Sequence, residues 1–399
     1  MNTPDPKRIA ICGVRYSPNL GDGVISDCLG WMIEHVLPEG VAVNLDLAGR
    51  TSFGEETVSG RRQKLKFLLS LPESIQNLIL RALLGRKIKA SLQPHWSEVI
   101  RSCDAALIGG GQLLSDSDLN FPLKIRGLLE CLRRQAIPTV YYACGVTCRG
   151  AAGARILGES LRDPLVKGVY LRDEKSMKVV GGFLKAGEMI SASHAFDPAI
   201  HVAEAYQEHL TGEPVFDVGV NFTDPVNMSY SSGRTLPYVD GLGATMAEVV
   251  RSFVAAGKRV ALFTNGATED EEFLDQTDQE FRLSESDGVR RIPRPIEPMQ
   301  LVQSIHRMQS VIAHRLHTNI IAFGLRIPSV GLEWSQKVPH FFQLVGREAC
   351  LVGKDEMTSE QILARHASLG EHGVDADLLD RMKTTSLKTL QSALSLARN

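Results

Sequence analysis

Short apolar runs alternate with longer amphipathic ones along most of the chain, and the two periods separate strands from helices. "RIAICGV" (8–14) predicts a strand, "GVISDCLGWMIEHVL" (23–37) a helix and "VAVNLDL" (41–47) the next strand. After a basic, leucine-rich stretch the alternation resumes through "WSEVIRSC", "AALIGGG", "FPLKIRGLLECLRRQ" and "PTVYYACGV". It continues with a helix near "GARILGESLRD", the strand "KGVYLRD" and the helix "EKSMKVVGGFLK". Strands separated by helices are the mark of an α/β fold with a parallel sheet. A polar, turn-rich segment at 201–214 reads as a linker, and a second alternation follows it: "FDVGVNF", "GLGATMAEVVRSFVAAG", "RVALFTN", "PMQLVQSIHRM", "SVIAH", "LHTNIIAFG" and "PSVGLE". The tail reads as two amphipathic helices, the first opened by the capping pattern "TSEQ". The expectation is two Rossmann-like, doubly wound α/β domains facing a cleft, 1–205 and 206–355, followed by C-terminal helices at 356–399.

Composition narrows the class without naming a chemistry. At 399 residues the chain is long enough for two cores, and 43% hydrophobic with 23% charged residues is ordinary for a globular protein. A net charge of −2 gives no overall field for nucleic acid, so an anion site has to be local. No apolar run is long enough to span a bilayer and the N-terminal residues lack a secretory pattern, so a cytoplasmic location is expected. Seven Cys without a CxxC pair read as reduced, buried thiols.

Ligands of doubly wound sheets bind beyond the carboxyl ends of the strands, and four stretches fall there. "RYSPNLGDGVISD" has Asn19 and Asp22 as hydroxyl binders, or Asp22 as a helix cap, beside glycines that allow close backbone approach. "AALIGGGQLLSD" ends a strand in a glycine turn, with Gly110, Gly111 and then Asp116, which is either a hydroxyl acceptor or a cap. "GVYLRDEKS" sets Arg172 beside Asp173 as either a ligand-facing cation or an exposed ion pair. The fourth, "VIAHRLHTNIIAFGLRIPSVGLEWSQKVPHFF", concentrates positive charge. Arg315 and His317 open one helix, and Lys337 holds the same place after the next parallel strand. A guanidinium grips phosphate or carboxylate in bidentate fashion, an ammonium adds a point charge, and an imidazole moves a proton near neutral pH. His314 and His317 stand three apart with no carboxylate or Cys set beside them in sequence, so no metal is expected.

Taken together, "NLGDGVI", "IGGGQLLSD", "VYLRDEKS", "HAFDPA", "AHRLHTNIIAFGLRIPSV" and "EWSQKVPHFFQLVG" resemble the polysaccharide pyruvyl transferase family, in that family's order and over residues 12 to 346. The resemblance implies a glycosyltransferase-B type fold and phosphoenolpyruvate as donor, with no further cofactor. Its pyruvyl group would become a ketal on two hydroxyls of a sugar in a polysaccharide or lipid-linked precursor. It further implies that Arg172, Arg315 and Lys337 hold the donor, with Arg172 reaching it across the cleft. His317 would be the acid/base, with Asn19 on the acceptor side. Two departures bear on the acceptor: "GVTCRG" at 145–150 stands where a Ser and a Gly-Pro are common, and His314 stands where a small residue is common. Two alternatives use the same architecture, a glycosyltransferase with a nucleotide sugar and a non-catalytic module that binds anionic glycans.

The donor chemistry leaves 61–90 unexplained. This segment holds eight Lys or Arg against the single acid Glu73, a local charge of +7, around a leucine-rich middle broken at Pro72. It reads as a hairpin lying on anionic lipid at the inner membrane face, or as a helix packed on the first domain with a solvated basic rim.

Overall fold

The computed structural model describes residues 7–54, 73–116, 119–148, 150–183, 192–232 and 236–397. The chain divides into two compact units. The first comprises Met1–Ser17, Ile25–Pro198 and Thr384–Asn399, and the second Pro18–Val24 and Ala199–Lys383.

The first unit is built on six parallel strands: β1 (Arg8–Gly13), β2 (Val41–Asp46), β3 (Ala105–Ser115), β4 (Thr139–Thr147), β5 (Val166–Leu171) and β6 (Ala192–His194). Their order is β2-β1-β3-β4-β5-β6. Both faces of this sheet are covered, which is why its strands are apolar throughout instead of alternating. On one side Ala10, Cys12, Ala106 and Ile108 pack with Trp96, Ile100, Leu128 and Leu132. On the other, Ile9, Ile11, Leu107 and Val140 pack with Leu29 and Met32 from the helix Gly21–Val36. Leu390, Ala393 and Leu394 of the C-terminal helix Ala376–Leu396 complete that second layer.

The second unit carries β7 (Val218–Asn221), β8 (Val260–Phe263), β9 (Val289–Arg291), β10 (Val311–Ala313), β11 (Ser329–Leu332) and β12 (Leu351–Val352). They pair in the order β12-β11-β10-β7-β8-β9, all parallel. The chain starts in the middle at β7, winds out through β9, and returns to β10 on the opposite side. The switch point, where such sheets open a crevice, therefore lies between β7 and β10. In the first unit it lies between β1 and β3 by the same argument.

Two sequence readings change here and a third is narrowed to one of its alternatives for the described part. The sequence division at 205/206 becomes a break at Pro198/Ala199, and the linker residues 201–209 form short helical turns with His201 buried. The glycine triplet is not a turn, because β3 runs through it to Ser115 and bulges between Gly111 and Leu114. A Cβ on Gly109 would lie 1.8 Å from the Tyr142 carbonyl oxygen on β4, and one on Gly110 2.4 Å from Ile25 Cγ2. Gly110 and Gly111 also adopt φ of +77° and +76°, the left-handed region open to glycine. Finally, the basic stretch contains a helix, Glu73–Lys87, and at its C-terminal end it packs: Ile88 and Leu92 are buried in the first unit's core. Leu83 is 65% exposed, and residues 61–72 lie outside the described residues. Among the described residues no helix is long and apolar enough to cross a membrane.

Candidate active site

Strands β10 and β11 pair in register, Val311 with Ser329 and Ala313 with Gly331, so the loops at their carboxyl ends are neighbours. Arg315 is the N-cap residue of the helix Leu316–Gly324, His317 lies in its first turn, and Lys337 opens the helix Lys337–Leu344 after β11. The sequence placed these three side chains on adjacent loops of one sheet, and the structure does the same. The Lys337 ammonium also sits over the Trp334 ring, 5.8 Å from its centroid.

What the sequence did not show is the support beneath them. Asp270, fully buried in the helix Thr268–Phe281, receives Arg315 Nε at 2.9 Å and Arg315 Nη2 at 2.7 and 2.6 Å. It also accepts the Asp224 backbone N–H at 2.9 Å. Burial pushes the Asp270 carboxyl up, and the Arg315 guanidinium opposes that shift. A fork held this way on a carboxylate has one orientation, so the Nη1 edge is pre-aimed and little rotamer entropy is lost on binding an anion. Asn319 donates its amide to the carbonyls of Ala313 and Arg315, both at 3.1 Å, and so staples the same turn.

A second polar set lies beside it. Asn265 Oδ1 accepts Thr318 Oγ1 at 2.7 Å and Asn221 Nδ2 at 3.0 Å, and Asn221 Oδ1 accepts the Thr223 hydroxyl at 3.2 Å. All four residues are buried. Polar residues at strand ends were the available signal, visible in "LFTNG", and the sequence reading applied it to other loops only.

His314, between β10 and Arg315, is 1% exposed, and both of its ring nitrogens lack a hydrogen bond among the described residues. Burial pushes this imidazole down to about 3, with Arg315 contributing, so it is neutral at pH 7. Its carbonyl is held by Trp334 Nε1 at 2.8 Å.

The loop Pro18–Val24 belongs to the second unit, although the sequence put Asn19 and Asp22 in the first domain. The Leu20 N–H donates to the Asn265 carbonyl at 3.0 Å, which ties the loop to the end of β8. Gly21 then lies against His317: a Cβ there would be 2.4 Å from His317 Cβ and 2.6 Å from Nδ1. Asp22 Oδ1 is 3.9 Å from His317 Nδ1. The role of Gly21 is thus close approach to a side chain of its own fold.

The remaining sequence candidates lie in the first unit. Arg172 is not the exposed ion pair that one sequence reading allowed. It is 6% exposed, with Nη1 3.2 Å from Asp197 Oδ2 and Nη2 3.2 Å from Gln112 Oε1, and Asp173 stands farther off at 3.9 Å. Asp173 instead caps the helix Glu174–Gly181 by accepting the Ser176 N–H at 2.7 Å. Gly145 makes room for this arrangement, since a Cβ there would be 2.8 Å from Arg172 Nη2. Asp116 accepts the Gly150 N–H at 2.6 Å, which holds the loop before the helix Ala151–Leu161. Among the described residues no group of three His, Cys, Asp or Glu is placed to hold a metal ion.

The family model for polysaccharide pyruvyl transferase matches residues 19–336, about four-fifths of the chain. This chain belongs to the polysaccharide pyruvyl transferase family. The match runs from Asn19 through Arg172, Arg315 and His317, and Lys337 follows its last residue. No curated protein matches this chain. Solved structures share its fold at low identity. UDP-N-acetylglucosamine 2-epimerase from Rickettsia bellii superposes with a TM-score of 0.53 at 12% identity, covering 99% of this chain and 97% of that one. A putative UDP-N-acetylglucosamine 2-epimerase from Listeria monocytogenes gives 0.56 at 11% identity over 95% and 91%. The enzyme from Neisseria meningitidis, bound to UDP-GlcNAc, gives 0.51 at 12% over 94% of each chain. At such identities the likeness defines the fold: two Rossmann-like domains of glycosyltransferase-B type.

Proposed function

We propose that this member of the family moves the pyruvyl group of phosphoenolpyruvate onto two hydroxyls of one sugar, in a polysaccharide or a lipid-linked precursor, and releases phosphate. The observation that carries the reading is the set Arg315, His317 and Lys337 at the carboxyl ends of adjacent strands, with Arg315 pre-aimed by Asp270. Phosphoenolpyruvate is a small polyanion whose phosphate and carboxylate need local cations, and this chain supplies them without a basic surface overall. Arg315 and Lys337 take its anionic groups, assisted by the positive end of the helix Leu316–Gly324. Arg172 of the first unit is assigned to the donor as well, by its place in the family pattern.

His317 serves as the acid/base. It protonates the methylene carbon, leaving an oxocarbenium-like centre, and recovers the proton from the first sugar hydroxyl as that oxygen adds. The C–O bond to phosphate then breaks and the second hydroxyl closes the ketal, its proton leaving with the phosphate. One positioned acid/base contributes about 10²–10⁴-fold, and fixing both anionic groups supplies orientation. On the acceptor side Gly110 is packed against Ile25 and Asp116 holds the Gly150 N–H. Asn19 remains as the hydroxyl binder, its Oδ1 buried without a hydrogen bond among the described residues.

The test is phosphate release from phosphoenolpyruvate against a panel of nucleotide-linked, lipid-linked and free saccharides, with thermal unfolding in parallel. Phosphoenolpyruvate should raise the melting temperature at millimolar concentration and pyruvate should not. Equal response to both ligands, or turnover by His317→Gln at the wild-type rate, would overturn the assignment. Co-sedimentation with anionic vesicles at low salt tests the proposal that 61–90 brings the enzyme to a lipid-linked acceptor.

A further inference from the structure

We infer that Asp22 is a positioning residue for His317, fixing its tautomer and ring orientation, and is not a sugar-binding carboxylate. The role rests on the acid/base reading of His317, while the geometry stands without it. Leu20 ties the loop Pro18–Val24 to the end of β8 through the Asn265 carbonyl, and Gly21 lies against His317 in the first turn of the helix Leu316–Gly324. Contact with Gly21 turns one edge of the imidazole toward the loop: the added Cβ would meet His317 Cβ, Nδ1 and Cγ at 2.4, 2.6 and 2.7 Å. That edge carries Nδ1, and the carboxylate nearest to it is Asp22, 3.9 Å away, with only 12% of the His317 side chain and 20% of the Asp22 side chain exposed.

The consequence is chemical. A carboxylate facing Nδ1 favours the proton there, which leaves Nε2, on the far side of the ring, as the nitrogen that exchanges a proton with substrate. This is the logic by which a buried carboxylate orders a histidine in hydrolytic triads. At 3.9 Å the pair is an electrostatic contact and not a hydrogen bond. Asp22 also lies in the first turn of the helix Gly21–Val36, where the helix dipole favours its ionised form.

The experiment uses full-length protein with ¹⁵N-labelled histidine, the His317 signals being assigned by their loss in His317→Gln. The wild type should show His317 with its proton on Nδ1. Asp22→Ala should shift that preference toward Nε2 and lower kcat by about 10²-fold, inside the range of a single acid/base. KM for phosphoenolpyruvate should change less than about threefold, because the donor's cations are untouched. Asp22→Asn keeps an oxygen that can accept from Nδ1, folds with the same volume, and should retain the Nδ1 tautomer. An Nε2–H tautomer in the wild type would overturn the inference, as would an unchanged tautomer in Asp22→Ala. So would a rise in acceptor KM at constant kcat, which would return Asp22 to the sugar side. If wild type fails to turn over phosphoenolpyruvate at all, the tautomer measurement still decides the role of Asp22.

Discussion

His314 offers a stability test that does not depend on knowing the substrate. In an unfolded chain an imidazole titrates near 6.5, whereas burial holds folded His314 down to about 3. Between those values the unfolded state binds a proton that the folded state refuses, so stability falls as pH drops through that window. At pH 5 the unfolded imidazole is almost fully protonated and the folded one is not. The linkage is RT ln(1 + 10^1.5), about 2 kcal/mol in favour of unfolding. That figure is insensitive to the folded value, which lies well below pH 5.

His314→Leu removes the titration and deletes two ring nitrogens that have no hydrogen bond among the described residues. Urea unfolding of wild type and variant at pH 7 and pH 5 isolates the contribution. His366, pushed down to about 4 mainly by burial, and the surface carboxylates act in both proteins and cancel. The wild type should lose about 2 kcal/mol more than the variant on acidification. Equal losses would mean that the imidazole is hydrated or paired in solution, and the buried, neutral ring between β10 and Arg315 would have to be abandoned.

Gly21→Ala puts a methyl 2.4 Å from His317 Cβ. Turnover should fall by about 10²-fold, while Gly373→Ala, with nothing within 4 Å of the new Cβ among the described residues, leaves it within twofold in the same phosphate-release assay. Arg315→Ala strands Asp270 as a buried carboxylate and should cost about 3–5 kcal/mol at pH 7; the loss should shrink as acid protonates Asp270, and a urea series across pH 4 to 7 reads this. Gly145→Ala crowds Arg172 Nη2 and Gln112 Oε1. It should raise KM for phosphoenolpyruvate with little change in melting temperature, because both neighbours are ends of long side chains.

The alternation of apolar runs with helical patterns was enough to predict two α/β units, since a strand between helices has both faces to bury and its composition records that. The sequence also placed Arg315, His317 and Lys337 at strand ends, because in a parallel sheet the position of a loop follows from the strand it ends. Strand order, and with it the switch point between β7 and β10, came only with the structure: local pattern does not say which side of β7 the chain returns to after β9. Asp270 was illegible for the same reason. Its spacing of 45 residues from Arg315 carries no period, and on a helix opening "TEDEE" it looks like one more solvated acid. The "NLGDG" loop shows the limit most plainly. Glycine and Asp are recognisable in sequence as residues that permit or attract close approach, but the approaching group, the His317 side chain some 300 residues on, is chosen by tertiary packing alone.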